Sequence, residues 1–292
     1  MDIKKFLADR DIRDVPVGMM GCRAHGISFE SCDYDVVVFD AKSQNNEIFQ
    51  YENDLVNLHH FSLDESRTEE LIKLYGMKIL SDDSWELGML LSKLKEKHSR
   101  MFRDHAKNCL FESLFCCEKC LQGLDGSGVF SSCWQKCASY LLADSIFALN
   151  QKFPSSSHMM ETARKFEKND TNETISLITQ TLGIERATPS LLERVAKSTV
   201  GFSDMVRENG YSSVIWHQYD YFVKNAMLAD CYFYLGHINK ANFLKIKDSV
   251  QYRPDLIHVL KTAFDLESDS SLISKNTYKV RDACHKVLSF LT

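Results

Sequence analysis

Gly21-Cys22-Arg23-Ala24-His25-Gly26-Ile27-Ser28-Phe29-Glu30-Ser31-Cys32-Asp33-Tyr34-Asp35-Val36 is the stretch on which the reading of this chain turns. Before it stands the compact apolar run Val15-Pro16-Val17-Gly18-Met19-Met20, whose shortness and terminal glycine predict a buried strand. Tyr34 to Phe39 contains three consecutive valines and predicts a second strand. Side chains alternate along a strand, so Asp33 and Asp35 are expected on one face where it begins. Two carboxylates so placed repel each other unless a cation lies between them. Oxygen ligands of this kind suit Mg²⁺, which completes its shell with water and substrate phosphates. Gly21 permits a turn that brings backbone N–H groups to an anion, and Arg23 adds positive charge beside it. Both halves of the stretch fit one ligand, an Mg-bound nucleoside triphosphate.

Working outward, residues 2–12 predict a short helix, with Ile3, Phe6 and Leu7 on one side. Further strands are expected at 47–51, 55–61 and 77–80, the first two joined by a hairpin tip at Glu52-Asn53-Asp54. From about Ser84 the period becomes helical, with segments at 84–98, 103–122, 131–151, 157–168, 172–183, 189–208, 214–235, 254–266 and 276–291. Leu124-Asp125-Gly126-Ser127-Gly128 is read as an αα-hairpin turn, and Pro154-Ser155-Ser156-Ser157 as another break. With only 12 Gly and 4 Pro in 292 residues, a chain of tight β-turns is disfavoured. The expected class is α+β: a small mixed-sheet unit over 1–98, then an all-helical region over 99–292, with a division into two sub-bundles near 154–170 as an option.

The residues at the start of the sheet resemble the nucleotidyltransferase superfamily of the DNA polymerase β type, particularly its small prokaryotic members with a C-terminal helical domain. Those members carry an apolar residue, Gly, then Gly or Ser, a gap of nine to thirteen residues, and Asp-apolar-Asp/Glu-apolar. Here Met20-Gly21-Cys22 is followed after ten residues by Asp33-Tyr34-Asp35-Val36, and Gly21-Cys22-Arg23-Ala24-His25-Gly26 echoes their Gly-Ser-Arg-Ala-Arg-Gly. The resemblance covers about residues 1–98. It implies transfer of a nucleoside monophosphate from an NTP, with ATP favoured, to a hydroxyl of an acceptor it does not name. Asp33 and Asp35 would then hold Mg²⁺, while Gly21, Cys22, Arg23 and His25 would lie at the triphosphate.

Three positions depart from that pattern. Cys22 offers a thiol where the family has a hydroxyl or glycine, and His25 stands where Arg is frequent. The third carboxylate, expected in a Val-Asp-Leu setting, is matched by Val56-Asn57-Leu58. Asn57 can ligate a cation but cannot accept a proton. His59, on the same face by alternation, is the candidate base. The alternative reading is a catalytically degenerate nucleotide-binding or regulatory relative, of the toxin and antitoxin kind.

Composition narrows the partners. The formal net charge of −5 provides no overall basic field. Residues 1–98 hold 12 Lys and Arg against 19 Asp and Glu, a net of −7, leaving +2 for the remainder. This argues against a long nucleic-acid acceptor and for metal-dependent NTP binding. The charged start Met1-Asp2-Ile3-Lys4-Lys5 predicts no signal peptide, and no membrane span is expected, so a cytoplasmic setting with reduced cysteines follows. Cys117-x2-Cys120 and Cys133-x3-Cys137 have zinc-like spacing, but their helical placement favours core packing. By analogy, pairing through the helical region would give a homodimer.

Overall fold

The computed structural model describes residues 1–40, 46–124, 130–207 and 211–291. The fold is α+β, a five-stranded mixed sheet at the N-terminal end followed by a helical region. After α1 (Ile3–Asp9), capped by the Asp2 side chain, come β1 (Val17–Met20), α2 (Gly21–His25), β2 (Tyr34–Val38), β3 (Glu47–Tyr51) and β4 (Asp54–His60). Then follow α3 (Thr68–Leu71) and β5 (Lys78–Ser81). The strand order is β3-β4-β2-β1-β5, with β2 and β4 parallel and the other neighbours antiparallel.

Alternation along β2 divides the core. Val36 and Val38, with Val17, Val56 and Leu58, pack on Phe6 and Leu7 of α1. Val37 and Phe39, with Met20, Ile72, Leu74 and Met77, face the other way, toward the long helix. Complete burial of such side chains contributes roughly 1.5–3 kcal/mol each, so the register is strongly specified. Asp35 shares the Val37 face. It lies opposite Asn57 across the parallel pair, with His59 opposite Val37.

The expected glycine turn after β1 is in fact one turn of helix, α2, entered at Gly21 with φ +74° and left through Gly26 in the left-handed conformation. The expected helices 84–98 and 103–122 form one helix, α4 (Glu86–Leu124), 39 residues and about 58 Å long. Ser99-Arg100-Met101-Phe102 contains no helix breaker, and burial of Met101 and Phe102 in the sheet-side core carries the helix through. α4 therefore underlies the sheet at one end and pairs with α5 (Ser131–Leu149) at the other. Residues 125–128 of the expected hairpin turn lie outside the described residues.

The helical region continues with α6 (Met159–Ala163), α7 (Thr174–Leu182), α8 (Pro189–Val206), α9 (Ser212–Lys224), α10 (Leu228–Lys245), α11 (Ile257–Ala263) and α12 (Ser270–Ser289). The single helix expected over 214–235 is broken between α9 and α10 by Ala226 at φ +54°. The helix expected over 157–168 shrinks to a 3₁₀ turn at Ser156–His158 followed by α6. Cys116, Cys117, Cys120, Cys133 and Cys137 are fully buried in the main helical core. Cys120 meets the Thr277 hydroxyl at 3.1 Å. No helix of the described residues is long and apolar enough to cross a membrane.

Candidate functional site

A cavity of about 340 Å³ opens between the sheet and the helical region. Its sheet wall holds Gly21, His25, Asp33, Asp35, Asn57 and His59, six of the eight residues singled out from sequence. The turn and the carboxylates form one surface. A Cβ added to Gly21 would lie 2.4 Å from Asp35 Oδ2, so glycine is required there by space as well as by its positive φ. Asp35 Oδ1 accepts from Asn57 Nδ2 at 3.0 Å and meets His59 Nε2 at 3.0 Å. Burial, and then the neighbouring Asp35 charge, holds the Asp33 carboxyl well above the usual carboxylate range.

Asn57 Oδ1 is buried and has no hydrogen-bond partner among the described residues. A buried acceptor left over beside two carboxylates is a donor set suited to a hard cation with oxygen ligands. The chemistry of these oxygens, as distinct from their geometry, is the kind that Mg²⁺ takes. Asp54, which does not line the cavity, begins β4 and faces Arg23 at 3.8 Å and the N-terminal amine at 3.6 Å.

Arg23 and Cys22 do not line the cavity. The Arg23 guanidinium donates to the carbonyls of Cys32 (2.9 and 2.6 Å) and Glu30 (3.3 Å) and covers the Tyr34 ring. It staples the connection between α2 and β2 instead of facing a ligand. The Cys22 sulfur lies against Cys32 and His158. A hydrogen bond from Cys22 lowers the Cys32 thiol to about 4; burial opposes this and His158 assists it. His25 closes over Gly76, and burial, followed by nearby Lys78, lowers its pKa.

The opposite wall comes from the helical region and includes Ser156, Arg207, Tyr211, Gln218 and Tyr234. Arg207 extends from the end of α8, held by the neutral Asn242 at 2.6 Å and lying over the Tyr211 ring. Ser156 heads a relay. Its Oγ is 2.8 Å from His237 Nδ1, His237 Nε2 is 2.9 Å from Asp144 Oδ1, and Asp144 Oδ2 accepts from Lys240 at 2.6 Å. Burial works against ionised Asp144, but Lys240 and His237 outweigh it and keep the carboxyl well below its usual range. Burial, then Lys240, lowers the His237 pKa. A carboxylate only accepts, so His237 donates from Nε2 and its Nδ1 accepts from the Ser156 hydroxyl. This arrangement can take a proton from a hydroxyl facing the cavity.

Sequence inspection does not find this second wall. Asp144, Ser156, Arg207 and His237 belong to separate helices and turns, and none sits in a motif. The one local signal was the Pro154-Ser155-Ser156-Ser157 break, read as a helix start. Compared with protein-family models and with curated proteins, the chain matches none.

Proposed function

We propose that the chain is a Mg²⁺-dependent nucleotidyltransferase of the DNA polymerase β type, moving a nucleoside monophosphate from an NTP to an acceptor hydroxyl in the cytoplasm. The observation that carries this reading is the close approach of the Gly21 turn to Asp35, which brings the start of α2 and a pair of aspartates to one cavity. Asp33, Asp35 and the Asn57 carbonyl oxygen would hold the metal. When bound, it neutralises the triphosphate and stabilises the charge that develops during in-line displacement. The N–H groups at the start of α2 would meet the phosphates, and Arg207 would supply the positive charge that Arg23 does not. His59 is tied to Asp35, whereas His237 Nδ1 accepts from Ser156 Oγ on the other wall, so an acceptor hydroxyl there would give its proton to Ser156 Oγ as Ser156 passes its own to His237. The acceptor side is therefore the helical wall.

Asn57 favours a second reading, a regulatory relative that binds nucleotide without transferring it. Its amide cannot serve as the third carboxylate, and it donates to Asp35. Incubation with Mg²⁺ and each labelled NTP, with and without candidate acceptors, separates the two. Transfer that vanishes in Asp33→Ala with Asp35→Ala supports the enzyme. Chelator-sensitive binding without transfer supports the regulatory relative, and transfer that survives the double substitution refutes the metal assignment.

A further inference from the structure

Next to the cavity but not lining it, three ligands from three separate segments converge. Cys22 lies in α2, Cys32 immediately before β2, and His158 in the 3₁₀ turn of the helical region. Their two sulfurs and one imidazole nitrogen all lie within 4.8 Å of one another. Cys32 Sγ is 3.2 Å from His158 Nε2. All three residues are buried, His158 completely. Tetrahedral zinc, with bonds of about 2.3 Å to sulfur and about 2.0 Å to nitrogen, sets its ligand atoms roughly 3.6–3.8 Å apart. Small side-chain adjustments bring this trio to that spacing.

The surroundings match what metal ligation requires. His158 turns Nε2 toward the sulfurs while Nδ1 meets Glu161 Oε2 at 3.0 Å, the carboxylate–histidine arrangement that orients an imidazole toward a metal. The Phe29 backbone N–H donates to Cys32 Sγ at 3.2 Å, and the Phe29 ring lies 4.0 Å from the His158 ring, fixing its plane. Ser31 and Gln218 exchange two hydrogen bonds of 2.9 Å, so the segment carrying Cys32 is already clamped to α9.

We propose that Cys22, Cys32 and His158 form a zinc-binding site that fastens the α2–β2 connection to the helical region. The fourth position is left to water or another exogenous ligand, as in three-ligand Cys₂His sites. Both thiols lose their protons on binding, one proton per sulfur, and His158 binds through neutral Nε2. The ion is distinct from the Mg²⁺ proposed for the cavity, since two thiolates and an imidazole select a softer cation than carboxylates do. It ties together residues adjacent to Gly21 and Asp33, so it stiffens the sheet wall.

Elemental analysis of protein purified under reducing conditions without chelator is expected to find stoichiometric zinc. Cys22→Ser, Cys32→Ser and His158→Asn each reduce it to background, whereas Cys117→Ala leaves it unchanged. Glu161→Gln keeps the stoichiometry but weakens zinc affinity roughly ten- to a hundredfold. Because the ligand variants also disturb the interior, the intact chain is tested separately. Co²⁺ added to metal-stripped wild-type protein gives thiolate-to-cobalt absorption and the intense visible bands of a tetrahedral ion. Zinc that persists in Cys32→Ser, or absence of both zinc and cobalt–thiolate absorption, overturns the proposal. So does a Cys22–Cys32 disulfide in protein isolated under these conditions, which would make the pair a redox couple.

Discussion

Gly21, Asp33, Asp35, Asn57 and His59 reach the cavity from two neighbouring strands and the turn that opens one of them, whereas Ser156, with His237 behind it, and Arg207 come from parts of the helical region far apart in sequence. The sheet wall concentrates negative charge and leaves one acceptor without a partner. The helical wall carries a cation and a serine hydroxyl backed by a histidine whose Nδ1 accepts from it. In the proposed reaction the first wall takes the metal and the second takes the phosphates' residual charge and the acceptor's proton. The contrast shows that a strand pair can encode half of a site within a few dozen residues, and that only tertiary packing supplies the rest.

The largest effect is expected on the sheet wall. Asp35→Asn keeps the size of the side chain but removes the charge, and should reduce transfer about a thousandfold or more, the scale of losing a preorganised electrostatic group. The change is read as kcat with saturating NTP, with folding checked by circular dichroism. A loss of less than tenfold would separate the carboxylate pair from the chemistry.

Which wall holds the proton is the next division. Loss of a general base costs about a hundredfold or more. His237→Gln is expected to lose that much in kcat and to flatten the acid limb of the pH–rate profile, while His59→Gln changes transfer less. The reverse order would return the base to the sheet wall, where sequence alone had put it.

The sheet wall was legible because strand periodicity is local. Alternation places Asp33 with Asp35 and Asn57 with His59 without knowledge of the rest of the chain. The helical half was legible in its helices and not in their ends. Nothing in Ser99-Arg100-Met101-Phe102 marks either a break or a continuation, and burial against the sheet decided it. Ala226 adopts a positive φ with no glycine to announce it. Arg23 shows the opposite failure: its place beside Gly21 led to the expectation of a phosphate contact, but its side chain turns to the backbone of its own loop. His158 is 126 residues from Cys32, so no spacing rule joins them.

The two arginines offer a tenfold test. Arg207→Ala is expected to weaken NTP binding roughly tenfold, the worth of one charge-assisted contact of about 1.4 kcal/mol. Arg23→Ala should leave affinity close to wild type and lower stability by about 1–3 kcal/mol, since it strips hydrogen bonds from part-buried carbonyls. Isothermal calorimetry and urea unfolding read the two separately. Should Arg23→Ala instead abolish NTP binding without loss of stability, the motif-based placement would be right and the loop staple incidental.

The smallest effect concerns a charge that only the helical region could bury. Lys136 on α5 donates to the Leu182 carbonyl and to the Tyr232 hydroxyl, and burial lowers its pKa to about 7. The unfolded chain keeps this proton up to the ordinary lysine range near 10.4. Between about pH 7 and 10 the unfolded state therefore binds more protons at this site than the folded state, and the Lys136 contribution makes stability rise with pH. The maximum slope from one such group is about 1.4 kcal/mol per pH unit. The buried cysteines, whose thiols burial pushes upward, act in the opposite direction and together outweigh one lysine as pH approaches about 8.5, so the Lys136 contribution is read as the difference in slope between wild type and a Lys136 variant. Lys136→Met, similar in length and uncharged, should remove that contribution and match or exceed wild-type stability at pH 7. Chemical unfolding at half-unit steps of pH tests it, and an unchanged slope in Lys136→Met would assign the titration to another group. The sheet wall is separate from this titration, so Mg²⁺-dependent NTP affinity at fixed pH should be the same in Lys136→Met and wild type.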